Sequence, residues 1–115
     1  EFSSTVEEYN GTSWSAGGAI SAGKANLAGT GTQTAGLCMG GGTTGDVRSS
    51  TTEEYDGTSW SAGGAISSAR NFLTGAGTQT AGLCMGGTTG STSNITEEYD
   101  TIGSYDELFS ASGGL

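Results

Sequence analysis

Three pairs of adjacent glutamates are the residues of this chain best suited to acid–base chemistry or cation binding. They are Glu7 and Glu8, Glu53 and Glu54, and Glu97 and Glu98. Two carboxylates held close together could act as proton donor and acceptor, and a ring of them could bind Ca²⁺. Adjacent residues of a β-strand point to opposite faces, so one pair does not present both carboxylates to one substrate. We therefore expect one glutamate of each pair to face solvent and the other to form a structural ion pair.

Basic residues are so few that the partners of these glutamates can be named. The chain has only three, Lys24, Arg48 and Arg70, against 12 acidic residues, for a formal net charge of −9. We expect these cations to pair with the glutamates between neighbouring repeat units. The negative charge argues against nucleic-acid binding, which needs clustered Lys and Arg. No apolar run approaches the about 20 residues that span a bilayer, so neither nucleic acid nor a membrane is an expected partner.

Four aromatic side chains are candidates for carbohydrate binding. Tyr9 and Trp14 recur 46 residues later as Tyr55 and Trp60, and flat aromatic faces suit the C–H surfaces of sugar rings. The same side chains could instead pack between repeated units, and Arg70 shares this choice between ligand binding and packing. The sequence leaves both roles open for these five residues.

No combination of residues indicates an enzyme. The chain contains no His, which is the usual base near neutral pH and the commonest metal ligand. Gly18–Lys24 has the spacing of a phosphate-binding loop, but Ala25 follows where Ser or Thr should bind Mg²⁺. The matching segment of the next repeat ends in Arg70, so this loop is a feature of the repeat. We expect no catalytic, cofactor or metal site.

The two cysteines, Cys38 and Cys84, are expected to be free and buried. Each lies between a Leu and a Met at the same position of successive repeats, and symmetry-related positions are too far apart for a disulfide. Asn10 and Asn94 begin glycosylation sequons. Asp56 replaces Asn10 in the second repeat, so turn chemistry also explains Asn10.

A repeat of 46 residues organises the chain. The string TAGLCMGG at 34–41 returns at 80–87, and EEYNGTSW at 7–14 returns as EEYDGTSW at 53–60. A third start, TEEYD, follows at 96–100. We interpret the chain as a single repeat domain over 1–115, with repeat one at 5–50, repeat two at 51–94 and a partial third repeat at 95–115.

Each full repeat is predicted to form two β-hairpins. Asp-Gly at 56–57 lies between two strand-like segments and tolerates the positive φ angles of a tight turn. A second hairpin is predicted from a strand at 71–77, a polar turn at 78–80 and a strand at 81–85. The 23 glycines and the many Ser and Thr residues disfavour helix. The predicted fold is all-β, with four short antiparallel strands in each repeat.

The order of these features resembles the kelch repeat. An apolar strand that ends in a Gly pair (83–87), a Glu-x-Tyr-Asp strand (53–56), then Trp60, Ile66 and Arg70 carry the resemblance. It implies a β-propeller built from four-stranded blades. More narrowly, the Gly/Thr-rich strings are similar to kelch-like repeats of marine phage and metagenomic structural proteins. That likeness implies an extracellular or virion-surface location.

The third repeat departs from this pattern. Residues 101–105 (TIGSY) replace GTSW, so Tyr105 is expected to stand in for the missing tryptophan. Residues 106–109 have no counterpart, and 110–115 return only loosely to the pattern of 61–66. We expect the third unit to be degraded or truncated.

The number of units implies assembly. Propellers close with about four to eight blades, whereas the 46-residue period supplies about two and a half blades per chain. A homo-oligomer is therefore expected, either a ring of two or three chains or an open stack that grows into a fibre. The alternative is that the chain is a piece of a longer propeller.

The expected function follows from this architecture. We expect a non-enzymatic structural and binding module on a virion or cell surface, which self-assembles through its blade edges. The alternative is a lectin-like adhesin that binds glycans through the loops at the rim of the blades.

Overall fold

The computed structural model describes residues 2–100 and 103–107, and it is all-β, as predicted. The last residues of the predicted third repeat, 108–115, lie outside the described residues. Within the described ranges, no helix is long and apolar enough to cross a membrane. The strands are β1 (Glu7–Tyr9), β2 (Trp14–Ala16), β3 (Ala28–Thr32), β4 (Ala35–Met39), β5 (Gly42–Thr43), β6 (Val47–Arg48), β7 (Thr52–Tyr55), β8 (Trp60–Ala62), β9 (Thr74–Thr78), β10 (Ala81–Met85), β11 (Thr96–Tyr99) and β12 (Tyr105–Glu107).

The strands form two four-stranded antiparallel sheets and two separate hairpins. Sheet I has the order β3-β4-β7-β8, and sheet II has the order β9-β10-β11-β12. The hairpin β1–β2, which we call the first hairpin, and the short hairpin β5–β6 stand apart from both sheets. Each four-stranded sheet takes its first two strands from one sequence repeat and its last two from the next, so the structural units straddle the repeat boundaries.

The loop between β4 and β7 departs from the predicted four strands per repeat. In repeat one this loop forms the hairpin β5–β6, with Gly42 opposite Arg48. The matching loop of repeat two is shorter and contains only isolated bridges, including one between Thr88 and Thr92. The loop between the second and third strands of a sheet is therefore where the two repeats differ most.

The tight turns follow directly from the sequence. Gly11 and Gly57 both have φ of +98°, in the left-handed region that a glycine adopts without strain. The side chain before each glycine closes the turn, because Asn10 Oδ1 accepts bonds from the backbone of residues 12 and 13, and Asp56 Oδ1 does the same for residues 58 and 59. Short polar side chains are favoured at this position for this reason.

The core lies where the glycine-rich strands β3 and β9 pack against each other between the two sheets. A Cβ atom on Gly75 would lie 2.7 Å from Met39 Cε and 3.3 Å from the Gly29 carbonyl oxygen, so a larger residue would displace the Met39 side chain and crowd the backbone of β3. Side chains from both sheets complete the core, namely Ala28, Leu37, Met39, Ile66, Leu73, Cys84 and Tyr99.

Candidate functional site

Three hairpins carry the same aromatic pair at their closed end. Tyr9 lies opposite Trp14, and Tyr55 lies opposite Trp60, with ring centroids 5.0 Å and 4.8 Å apart. In the third hairpin Tyr105 takes the tryptophan's position, as predicted, and its ring lies 4.6 Å from that of Tyr99. Two rings therefore pack against each other in all three hairpins, although the third hairpin has one more residue between them.

The surroundings of these aromatic pairs differ along the chain. Tyr9 is 45% exposed, whereas Tyr55 is 3% exposed and Tyr99 is fully buried. Trp14 is 65% exposed, while Trp60 is half-buried. Of the aromatic candidates for ligand stacking, Tyr9 and Trp14 present open faces, and Tyr55 lies inside a contact between sheets.

A tyrosine–glutamate hydrogen bond joins each unit to the one before it. Tyr55 of sheet I donates its hydroxyl to Glu8 of the first hairpin, and Tyr99 of sheet II donates its hydroxyl to Glu54 of sheet I. The bond to Glu8 raises the pKa of Tyr55. Burial, followed by the bond to Glu54, raises the pKa of Tyr99 to about 12. The Glu-Tyr pair recurs in the sequence, but that recurrence alone did not predict a bond to the preceding unit.

Three further hydrogen bonds cross the same boundaries. Trp60 Nε1 donates to the Gly18 carbonyl oxygen at 2.9 Å, which joins sheet I to the segment after the first hairpin. Gln79 Nε2 donates to the Tyr55 carbonyl oxygen at 2.8 Å, and Gln33 Nε2 makes the equivalent bond to Tyr9 at 2.7 Å. The contacts between successive units thus repeat with the sequence.

Arg70 lies at the centre of a buried polar cluster. It is fully buried and forms an ion pair with Glu97, while Nη1 donates to the carbonyl oxygens of Gly86 at 2.8 Å and Ile95 at 3.1 Å. Its Nη2 also lies 3.4 Å from Cys84 Sγ. No face of this guanidinium is open to a ligand, and it ties the segment before β9 to β11.

Lys24 takes the equivalent place in sheet I. Its Nζ lies 3.9 Å from Glu53 Oε2 and donates to Thr51 Oγ1. The predicted ion pairs therefore form for Lys24 and Arg70, and each links two neighbouring sequence repeats, as expected. In the structure each pair joins the segment before a four-stranded sheet to the third strand of that sheet. Arg48 forms no ion pair within the described residues.

Burial keeps the two cysteine thiols in their neutral form. Both thiols are free, as predicted, and burial raises the pKa of Cys38 and of Cys84 to about 11. A thiol is a poor nucleophile when so little of it is ionised. In the described part of the chain, no three His, Cys, Asp or Glu side chains come together as metal ligands. The two sequon residues, Asn10 and Asn94, are both exposed.

The first hairpin leaves an incomplete contact at one end of the molecule. In the described structure β1 pairs with β2 alone, so its other edge has no strand partner there, although the Tyr9 carbonyl oxygen accepts a bond from Gln33 Nε2. A cavity of about 350 Å³ lies between this edge and strands β3 and β4, lined by Val6, Leu27, Leu37 and Trp60 among others. At the other end Glu98, the equivalent of Glu8 and Glu54, is exposed.

Comparison with known proteins adds no relative to this description. No protein-family model matches the chain, and no curated protein sequence matches it.

Proposed function

We propose that this chain is a non-enzymatic structural module of the kelch type, which assembles with further copies of itself head to tail. Sheets I and II would be two propeller blades, and the first hairpin would be the outer half of a third. Their four-stranded antiparallel order, and the packing of the glycine-rich strands β3 and β9 against each other, support this reading. A virion or cell surface is the proposed location.

The proposal rests mainly on the direction of the tyrosine–glutamate hydrogen bond along the chain. In both internal contacts the later unit supplies the tyrosine and the earlier unit supplies the glutamate. Within the described residues, the Tyr9 hydroxyl of the first unit has no glutamate partner, and Glu98 of the last unit is exposed. A contact between the two ends of different copies would repeat the contact already formed twice within each copy.

The free edge of β1 supports the same proposal. An unpaired strand edge with an exposed aromatic pair beside it is a template for pairing with another chain. The 350 Å³ cavity against β3 and β4 leaves room for a neighbouring copy to add apolar contacts. Both a closed ring and an open stack would bring Tyr9 of one copy against Glu98 of the next.

Size-exclusion chromatography with light scattering over a range of protein concentrations tests the proposal. We expect the mass to rise with concentration to whole multiples of the chain. Tyr9→Phe removes the donor of the proposed bond, and Glu98→Gln removes the negative charge of its acceptor, so each should weaken association about ten-fold. A wild-type chain that stays monomeric at every concentration would contradict self-assembly.

Asp56→Asn is the matched control. It removes one negative charge, as Glu98→Gln does, but lies at neither end of the molecule. Asn10 makes the same two backbone bonds at the equivalent turn, so the fold accepts asparagine there. Association should be unchanged in this variant.

The alternative function is glycan binding through the rim loops. It is favoured by a different part of the molecule, a cavity of about 530 Å³ among those loops.

A further inference from the structure

A second cavity, of about 530 Å³, opens among the loops that join the strands. Its volume falls within the roughly 300–1,000 Å³ that is usual for pockets that bind small molecules. It lies within one chain, so it does not depend on the self-association proposed above. Its lining includes Phe2, Asn26, Asp46, Arg48, Asn71 and Phe72.

Backbone hydrogen bonds hold the walls of this cavity in place. Ala25 and Gly42 exchange two bonds, at 3.0 Å and 2.8 Å. The Phe72 amide donates to the Asn26 carbonyl oxygen at 2.8 Å, and Asn71 exchanges two bonds with Thr88. The segments at 25–26 and 71–72, which are equivalent in the two repeats, therefore meet at one place beside the hairpin β5–β6.

The backbone is strained at this place. In the described residues, the only non-glycine residues with positive φ are Asn26 (+58°), Asp46 (+60°) and Phe72 (+57°), and all three line the cavity. Asn and Asp tolerate this conformation, but for a bulky aromatic residue it is a genuine outlier. Such strain tends to collect at sites that bind ligands. Here it holds the Phe72 side chain 65% exposed at the cavity.

Two buried polar atoms at the cavity have no partner. Arg48 Nε and Asn71 Oδ1 are among the five such side-chain atoms in the described structure. Arg48 is also the one basic residue without an ion pair in the described ranges, since Lys24 and Arg70 are both paired. A free guanidinium donor and a free amide acceptor are therefore available together, and buried polar groups are normally satisfied.

The repeats diverge at this cavity, although their strands are nearly identical. Asn26 and Phe72 occupy equivalent positions, as do Ala25 and Asn71. After the shared string GTTG, repeat one continues with DVR, which includes Arg48, where repeat two has STS. The cavity is thus a single site in the described structure. Several of its residues are not shared by the two repeats, although the strands are nearly identical.

We propose that this cavity binds a carboxylated sugar, a hexuronic acid unit. Arg48 would pair with the carboxylate through two parallel N–H donors, an arrangement that suits a planar anion. Asn71 Oδ1 would accept a bond from a sugar hydroxyl. Phe72, which lines the cavity as Phe2 does, would offer an aromatic face to the C–H surface of the ring. A neutral sugar would lack the partner for Arg48, so the acidic sugar should be preferred.

Ligand-observed NMR with D-galacturonate and D-glucuronate, and with galactose and glucose as their neutral counterparts, tests this proposal. Binding should appear at or below about 10 mM of the acidic sugars. Arg48→Gln should weaken it about ten-fold or more and remove the preference for acidic sugars. Phe72→Ala should weaken binding of every sugar about five-fold.

Val47→Thr serves as the control, because it changes a neighbouring exposed side chain that does not line the cavity. Its binding should equal that of the wild type, and circular dichroism should show that all variants are folded. Three results would overturn the proposal: no binding of acidic sugars by the folded wild type, equal binding of neutral sugars, or binding that survives Arg48→Gln unchanged. Each can occur in a fully assembled or a fully monomeric protein, so this test is separate from that of self-assembly.

Discussion

The first hairpin and the hairpin β7–β8 have almost the same sequence but very different surroundings. Both close with the same turn and the same aromatic pair, at centroid distances of 5.0 Å and 4.8 Å. Tyr9 is nevertheless 45% exposed and Tyr55 only 3%. The eight-residue string determines the hairpin, whereas a preceding unit determines its burial. Most of the stabilisation of each hairpin should therefore come from its neighbours, as in other repeat proteins.

The largest difference is expected at the first glutamate of each pair. Glu97→Gln would leave the fully buried Arg70 without its counter-charge, which should lower the free energy of unfolding by about 3–5 kcal/mol. The equivalent change in the first hairpin, Glu7→Gln, removes an exposed carboxylate with no ion pair in the described structure and should change it by less than about 0.5 kcal/mol. Urea denaturation of both variants measures this. Equal losses of unfolding free energy in the two variants would contradict the expected difference.

The second glutamate and its tyrosine should show a smaller contrast. Tyr99→Phe removes the hydroxyl that donates to Glu54 and leaves that half-buried carboxylate without its partner. We expect a loss of about 1–3 kcal/mol. Tyr9→Phe removes an exposed hydroxyl, so in the dilute monomer the stability should not change. Thermal unfolding at low concentration compares the two, and a matching loss for Tyr9→Phe would show that the first hairpin is already fully packed.

Alkaline pH should lower the stability of the fold through ionisation of Tyr99 and the two thiols. The fold raises the pKa of Tyr99 from 10.0 to about 12, and that of each thiol from 9.0 to about 11. Because the folded state favours the neutral forms, this stabilisation is complete below pH 9 and is lost as the pH rises to about 12. The melting temperature should fall across that window. Tyr99→Phe should flatten the upper part of the profile, and a flat wild-type profile would refute the assignment.

Substitutions in the turns of the two hairpins should cause equal losses of stability. Gly11→Ala and Gly57→Ala both place a side chain at φ of +98°, where a Cβ is strained by about 1–2 kcal/mol. Neither Cβ would meet an atom closer than about 3.5 Å, so strain alone should act. Equal losses of stability in the two variants would confirm that the hairpins are locally alike. A clearly larger loss at Gly57 would mean that burial also depends on the turn.

Local features of the fold could be predicted from the sequence because they depend on neighbouring residues. The Asn10 and Asp56 turns, the antiparallel pairing and the free buried cysteines are all of this kind. The pairing of Lys24 and Arg70 with glutamates was predictable because the chain has so few cations. These predictions needed no knowledge of how the units pack.

Features that depend on packing between units were not predictable in the same way. The bonds from Tyr55 and Tyr99 to glutamates of the preceding unit require the relative placement of two sheets. The strained Phe72 and the unpartnered Arg48 become meaningful only when loops from both repeats meet. The repeat pattern did not predict this cavity, because the cavity is lined by residues that differ between the two repeats.

Complementation between two variants tests head-to-tail assembly most directly. Tyr9→Phe keeps an intact Glu98, and Glu98→Gln keeps an intact Tyr9. At a concentration where each variant alone is mostly monomeric, native mass spectrometry of the mixture should show a one-to-one heterodimer, since one complete contact remains. A mixture that stays monomeric while the wild type assembles, or a wild type that never assembles, would contradict the account.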